Sequence, residues 1–288
     1  MEKKVYDVAV VGGGPAGLSA ALTARVRNKS VVIFEHMGFS AKLQRAADVP
    51  NYLGLPNLSG KELMERMAEH CLAAGPELVK EKVTQIFPGD VFTLLTPQDV
   101  YEAKTVILAI GVSPAELLAG EKGLLGQGVS YCATCDGMLY REKEVAVVAY
   151  AAEAEHEAAF LSEICSKVLY FPQYKPVGSL PPNVQICSGK PKGVAAKEER
   201  FVLQHTKGQV EADGIFILRE TEPVENLLAE IELCKDAIKV SHTQKTSVPG
   251  VFAAGDCTGK PWQITVAVGE GNAAAHAAIS YLAAKEKV

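Results

Sequence analysis

The chain has 288 residues, of which 48% are hydrophobic and 22% charged, with a formal net charge of −5. That length suits one or two compact domains, and the balance is that of an ordinary globular protein. The acidic charge gives no ground for nucleic-acid binding, and no run of about 18 apolar residues exists to span a membrane.

Met1-Glu2-Lys3-Lys4 runs straight into a short apolar strand. That is too short for the apolar core and cleavage site of a signal peptide, so a cytoplasmic location is expected. From Tyr6 to Val11 the chain reads as a strand ending in Gly12-Gly13-Gly14-Pro15-Ala16-Gly17. An Ala/Leu-rich run with helical spacing follows over 18–27, and Val31-Val32-Ile33-Phe34-Glu35 reads as a buried parallel strand. Strand, glycine turn, helix and strand make a dinucleotide-binding unit. Gly12 allows the tight turn, Gly14 lets a pyrophosphate approach the backbone, and Gly17 lets the helix sit close to the strand. The helix N-terminus offers N–H groups and partial positive charge. Glu35 stands where an acid accepts hydrogen bonds from a ribose.

Residues 36–56 read as loop, with Gly38, Pro50, Gly54 and Pro56. An amphipathic helix is expected over 63–72, with Ser59 as N-cap and Glu62 three residues on. Short strands are expected over 79–87 and 91–96, and a buried strand over 104–110 that ends at Gly111. Pro114 suggests a crossing between domains.

Cys132-Ala133-Thr134-Cys135-Asp136-Gly137 carries the reactive groups. Two thiols at this spacing can close a small disulfide ring, and the adjacent acid can exchange a proton with a leaving thiolate. The competing reading of Cys-x-x-Cys is half of a zinc site. Zinc needs about four ligands, and no second Cys pair or suitably spaced His pair is present. The other Cys, at 71, 165, 187, 234 and 257, are scattered and do not read as a structural disulfide framework.

A second strand–helix–strand unit follows, with a strand over 144–149, a helix over 153–165 and a strand over 168–171. Its turn is Ala149-Tyr150-Ala151-Ala152-Glu153-Ala154. Ala149 and Ala151 stand where the first two glycines belong, so their Cβ atoms take the space a pyrophosphate needs, and Glu153 adds negative charge. The next strand runs into Phe171-Pro172-Gln173-Tyr174, with no Arg for a 2′-phosphate. A strand is expected over 210–218. Val251 to Asp256 reads as a strand ending in an acid, and a helix over 263–285 turns its positive end toward the same ligand.

Together these segments resemble the low-molecular-weight thioredoxin reductase family of flavoproteins. The likeness covers nearly the whole chain. It rests on Gly12 to Gly17 with Glu35, on Cys132 to Gly137, and on Val248-Pro-Gly-Val-Phe-Ala-Ala-Gly-Asp256. It implies an α/β fold of two Rossmann-like domains of the three-layer ββα type. A discontinuous FAD domain would span 1–113 and 244–288, with a central domain carrying the dithiol inserted at 114–243. The missing glycines make the chain most similar to the ferredoxin-dependent flavin thioredoxin reductases of anaerobes, which keep the dithiol and FAD without an NADPH site.

The resemblance implies roles for Cys135 as the flavin-proximal thiol, Cys132 as the interchange thiol and Asp136 as the proton shuttle. It implies FAD contacts at Gly12, Gly14, Pro15, Ala16, Glu35, Lys42, Asn51, Val83, Gly111, Asp256, Gln263 and Ile264. No metal and no NADPH are expected. The expected partners are thioredoxin as substrate, reduced ferredoxin as donor and a second copy in a homodimer, without nucleic acid or membrane. The chain departs from the family at Ile110, where Thr is common, at Ser40-Ala41-Lys42-Leu43, where Gly-Gly-Gln-Leu is usual, and at Trp262-Gln263, where Arg-Gln is usual. Trp262 reads equally as a flavin cover or a core residue. Three other readings stand beside the first: an NADPH-dependent reductase with an altered turn, an FAD-dependent dithiol oxidase, and a flavin-bound redox sensor.

Overall fold

The structure is a computed structural model that describes residues 4–36, 38–44, 46–112, 117–152, 154–219, 224–234 and 237–285. Pro114, Glu153 and the Lys42 side chain lie outside the described residues. The chain divides into two compact units, Met1–Val112 with Pro223–Val288, and Ser113–Glu222.

The elements that position the site are, in chain order, β1 (Val8–Val11), α1 (Pro15–Val26), β2 (Val31–Phe34), α2 (Gly60–Ala73), β3 (Glu77–Val79) and β4 (Val106–Leu108). Next come β5 (Val129–Ser130), β6 (Glu144–Ala149), α3 (Ala154–Ile164), β7 (Lys167–Pro172), β8 (Val184–Ile186) and β9 (Gly214–Leu218). β10 (Val251–Ala253) and α4 (Ile264–Lys285) close the chain.

In the first unit a parallel sheet runs β10-β4-β1-β2-β3. Every residue of β1 and β2 is buried, because both faces of the sheet are covered. Val8, Val10, Ile33, Ile107 and Phe252 pack on one face with α1 and α4. Ala9, Val11, Val32, Phe34 and Leu108 pack on the other with Phe92, Leu94 and Ala103 of a four-stranded sheet. Helix, parallel sheet and second sheet are the three layers. Ser59 caps α2 in a reciprocal box with Glu62, as the spacing predicts.

The second unit repeats the plan. Its parallel sheet runs β8-β7-β6-β9-β5. Val145, Val147 and Ala149 face Ala158 and Leu161 of α3. Ala146 and Val148 face Val194 and Leu203, which belong to a three-stranded antiparallel sheet, Pro191–Lys197, Arg200–His205 and Gly208–Ala212.

Four expectations change. The stretch 79–87 is not one strand: Glu77–Val79 and Gln85–Phe87 lie in different sheets. Likewise 210–218 splits at Asp213, where the chain leaves the antiparallel sheet for β9. The strands over 191–205 were not expected, because their Ala, Lys and Glu content carries little β preference and pairing decides there. The return to the first unit comes at Pro223 rather than at 244. Val224, Leu227, Leu228, Ile231 and Ile238 are buried in the first unit's core with Tyr6 and Phe92, so hydrophobic packing draws that segment back early. Among the described residues, no helix is long and apolar enough to cross a membrane.

α1 and α4 touch backbone to backbone. A Cβ added at Gly271 would lie 2.1 Å from the Ala16 carbonyl oxygen. Gly271→Ala must therefore push α4 off α1. We expect it to cost about 1–3 kcal/mol, the usual scale of overpacking, and to lower the thermal midpoint by several degrees, read by circular dichroism.

Candidate functional site

In the first unit the glycine turn forms a cradle. Gly12 has φ +108°, and a Cβ there would lie 2.3 Å from the Ala109 carbonyl oxygen. Over Gly14 the space is open: an added Cβ meets only the Ser40 Cβ, at 4.0 Å. Pro15 opens α1, and no side chain caps that helix, so its first N–H groups remain available to an anion. Ala16 is buried beneath the turn. The Gly13 N–H donates to Glu35 Oε2 at 2.7 Å, which holds the carboxylate at the end of β2. Sequence reasoning passed over Gly13. A Cβ there would meet Glu35 Cγ at 2.8 Å, and the run of three glycines was the signal.

The remaining cradle residues come from distant segments. Asn51 Nδ2 donates to Gln263 Oε1 at 3.0 Å, tying the 46–56 loop to the start of α4, where Ile264 stands. Gly111 has φ +68° and open space where a Cβ would be. Val83 is buried in the core with Phe34 and Val79. Asp256 does not end the strand. It opens a short 3₁₀ turn, Asp256–Thr258, after Gly255 with φ +84°. Glu270, which sequence reasoning missed, holds that turn: its Oε2 accepts from Gly255 N–H at 2.8 Å and Thr258 Oγ1 at 3.0 Å. An acid inside a small-residue helix was the available sign.

An uncapped helix end, open space above Gly14 and an anchored acid at the strand end suit the phosphates and ribose of FAD, so the residues present fit the group. Cys257 is buried, and burial pushes its thiol up to about 12, which leaves it inert. Trp262 is 45% exposed, with Lys260 Nζ 5.2 Å from its ring centre. The core reading of Trp262 is thereby corrected.

In the second unit Cys132 and Cys135 form a disulfide, their Cα atoms 5.3 Å apart. Cys135 is exposed and Cys132 half-buried. The Cys135 N–H donates to Cys132 Sγ at 3.1 Å, a bond that favours negative charge on that sulfur once the pair is reduced. Ser130 on β5, buried in its strand, links the parts. Its hydroxyl donates to Asp136 Oδ2 at 2.6 Å and accepts from the Cys132 N–H at 3.1 Å. Ser130 was not read from sequence; a polar residue between Val129 and Tyr131 was the only hint. Met138 and Leu139 follow at once, 54% and 69% exposed.

The second strand–helix turn is filled. Ala149 and Ala151 are 0% and 5% exposed. Tyr150 lies against Arg219, whose guanidinium carbon is 5.3 Å from the ring centre. Arg219 is buried on Glu121 at 2.5 and 2.8 Å, and Tyr131 OH donates to the same carboxylate at 2.6 Å. Burial alone would raise the Glu121 carboxyl, but the bonds from Arg219, Tyr131 and the Leu118 N–H hold it below the usual range. Lys197, on the antiparallel sheet of this unit, is engaged by Glu211. Among the described residues no cluster of three His, Cys, Asp or Glu is placed to hold a metal.

Residues 6–169 and 183–271 match the sequence model of the family described as pyridine nucleotide-disulphide oxidoreductase. A thioredoxin reductase of Aquifex aeolicus is 34% identical, covering 99% of this chain and 96% of the relative. A solved ferredoxin-flavin thioredoxin reductase of Clostridium acetobutylicum is 41% identical over 99% of this chain and 100% of its own, with a TM-score of 0.94. A solved thioredoxin reductase of Gloeobacter violaceus is 30% identical, with 97% and 94% coverage and a TM-score of 0.84.

Two outcomes follow from this geometry. Ser130→Ala should slow the reaction of the reduced dithiol with a small aromatic disulfide by about tenfold, a modest share of a general acid–base effect, with an unchanged circular dichroism spectrum. Iodoacetamide at pH 8 should label exposed Cys234 in the oxidised protein. It should spare Cys71 and Cys165, which burial pushes up to about 11, and Cys257, as read by peptide mass spectrometry.

Proposed function

This chain belongs to the pyridine nucleotide-disulphide oxidoreductase family, as a thioredoxin reductase flavoprotein, and on that footing we propose that it reduces thioredoxin with electrons from reduced ferredoxin rather than NADPH. The filled turn carries this proposal. Ala149 and Ala151 are buried where a pyridine nucleotide requires bare backbone. Arg219, the cation beside that turn, is already committed to Glu121. The likeness to the ferredoxin-flavin enzyme of Clostridium acetobutylicum supports the same donor. The family's name points the other way, so the donor has to be read from these residues.

When bound, FAD supplies a centre that accepts electrons singly and delivers them in pairs. Gly12, Gly14, Pro15 and Ala16 at the α1 end would hold its phosphates, and Glu35 its ribose. Lys42, Asn51, Val83, Gly111, Asp256, Gln263 and Ile264 complete the proposed contact set. The two electrons reduce the Cys132–Cys135 disulfide to two thiols with uptake of two protons. The Cys132 thiolate attacks one sulfur of the thioredoxin disulfide, and the second thioredoxin sulfur leaves as a thiolate. Cys135 then attacks Cys132 Sγ in the mixed disulfide, which frees the thioredoxin dithiol and restores the ring. Asp136, held by Ser130, delivers the proton to the leaving thiolate. Met138 and Leu139 offer an apolar surface to the incoming protein. In sum, two reduced ferredoxins, two protons and thioredoxin disulfide give two oxidised ferredoxins and thioredoxin dithiol. A fall from about −400 mV to about −270 mV releases about 6 kcal/mol for two electrons. A homodimer and a cytoplasmic setting complete the proposal.

Anaerobic stopped-flow mixing tests it. Reduced ferredoxin should bleach the flavin rapidly and NADPH should not; rapid bleaching by NADPH defeats the proposal. Oxygen uptake with small dithiols in the absence of ferredoxin would favour the dithiol-oxidase alternative. Cys132→Ser should keep flavin bleaching by ferredoxin and abolish thioredoxin reduction.

A further inference from the structure

In a nucleotide-binding Rossmann unit, the helix after the first strand takes the pyrophosphate, and the loop after the second strand reads the ribose hydroxyl or its 2′-phosphate. Here one internal carboxylate joins those two places. Glu155, in the first turn of α3, is 9% exposed. Its Oε1 accepts from the Val177 N–H at 3.0 Å and from Tyr174 OH at 3.1 Å. Its Oε2 accepts from the Gly178 N–H at 2.9 Å. Successive backbone N–H groups converging on one anion are the arrangement by which loops grip phosphate. Gly178 makes the seat possible, because a Cβ there would lie 2.7 Å from Glu155 Oε2. The Tyr174 hydroxyl is in turn bonded to that of Tyr170 on β7, at 2.6 Å. What is left between α3 and the loop is a pocket of about 320 Å³ lined by Ala152, Glu155, His156, Val177 and Gly178.

The neighbouring edge of the same cleft shows the same device. Leu218 pairs with Ala149 across the sheet, so Arg219 emerges beside the turn, and Glu121 neutralises it there. The Val177 and Gly178 N–H groups and the Arg219 guanidinium, donors that could receive a phosphate, already hold carboxylates from the chain itself.

We propose that Glu155 is a specificity-determining residue: its carboxylate stands in for the nucleotide's anionic groups and closes the second Rossmann cleft to pyridine nucleotides. This rests on the NADPH-independent function above and goes beyond it, because the methyl groups of Ala149 and Ala151 would then not suffice to exclude the ligand. Restoring the glycines would open the steric path and leave the donors occupied.

The test uses full-length, FAD-loaded protein and NADP⁺ as the probe in isothermal titration calorimetry. Wild type and Ala149→Gly/Ala151→Gly should show no binding at about millimolar ligand, the weak end of measurable affinity. Adding Glu155→Ala to the double variant should tighten binding at least tenfold, with flavin content and circular dichroism unchanged. If the alanine variant fails to fold, Glu155→Gln in the same background removes the charge at constant shape and must give a gain in the same direction. Equal binding by the double and triple variants overturns the proposal, and so does a folded Glu155 variant without any gain. Binding of NADP⁺ by the wild type would instead overturn the ferredoxin-dependent function itself.

Discussion

A single atom per residue, the Cβ at a strand-to-helix turn, separates the two halves of this protein. Both units build the same strand, turn and helix, and both place the helix N-terminus at the mouth of a parallel sheet. In the first, Gly12 and Gly17 let backbone lie against backbone, while the space over Gly14 is free. In the second, Ala149 and Ala151 fill the corresponding space and are themselves buried. One turn leaves bare backbone facing open space and the other carries buried methyl groups there. The proposed route of electrons into the protein rests in part on that difference.

The dithiol depends on a quieter arrangement. The Cys-x-x-Cys-Asp order places the reactive groups in sequence, but one buried serine sets their relation. Ser130 receives the Cys132 N–H and donates to Asp136, so the backbone at one sulfur of the disulfide and the acid share one anchor. A buried hydroxyl with both partners supplied is stable, and leaving either partner unmade would be costly. The acid is thereby held at a fixed place relative to a pair that must change covalent state in every turnover.

Internal carboxylates do similar work elsewhere. Glu35 holds Gly13, Glu270 holds Gly255 and Thr258, Glu121 holds Arg219, and Glu155 holds Val177 and Gly178. In the first unit they shape turns around a cradle that stays open. In the second they occupy the Val177 and Gly178 N–H groups and the Arg219 guanidinium beside the altered turn. On the proposed function, the same chemical group would serve retention of one dinucleotide and exclusion of another, according to whether its oxygens leave backbone N–H groups free.

Much of this was legible in the residues alone. Gly12, Gly14, Gly17 and Glu35 announce a dinucleotide turn because only bare backbone permits it, and Cys132 to Asp136 announce redox chemistry because few other patterns place two thiols and an acid so close. Ala149 and Ala151 reveal the altered second unit by the same steric rule. These signals are local: each is a constraint between neighbours in the chain. Ser130, Glu121, Arg219, Glu155 and Glu270 could not be read that way. Most of their partners lie well off in sequence, as Arg219 does from Glu121 and Gly178 does from Glu155, and even where they are near, as Cys132 and Asp136 are to Ser130, an isolated polar residue in a strand or helix does not declare what it will meet. The early return at Pro223 was hidden for the same reason, since the burial of Val224 and Leu228 depends on strands more than a hundred residues upstream. The sequence by itself determined the two Rossmann turns and the reactive pair, through short-range sterics and spacing. The tertiary structure alone decided which buried charges and hydroxyls hold them, because hydrogen-bond partners are chosen by packing in space.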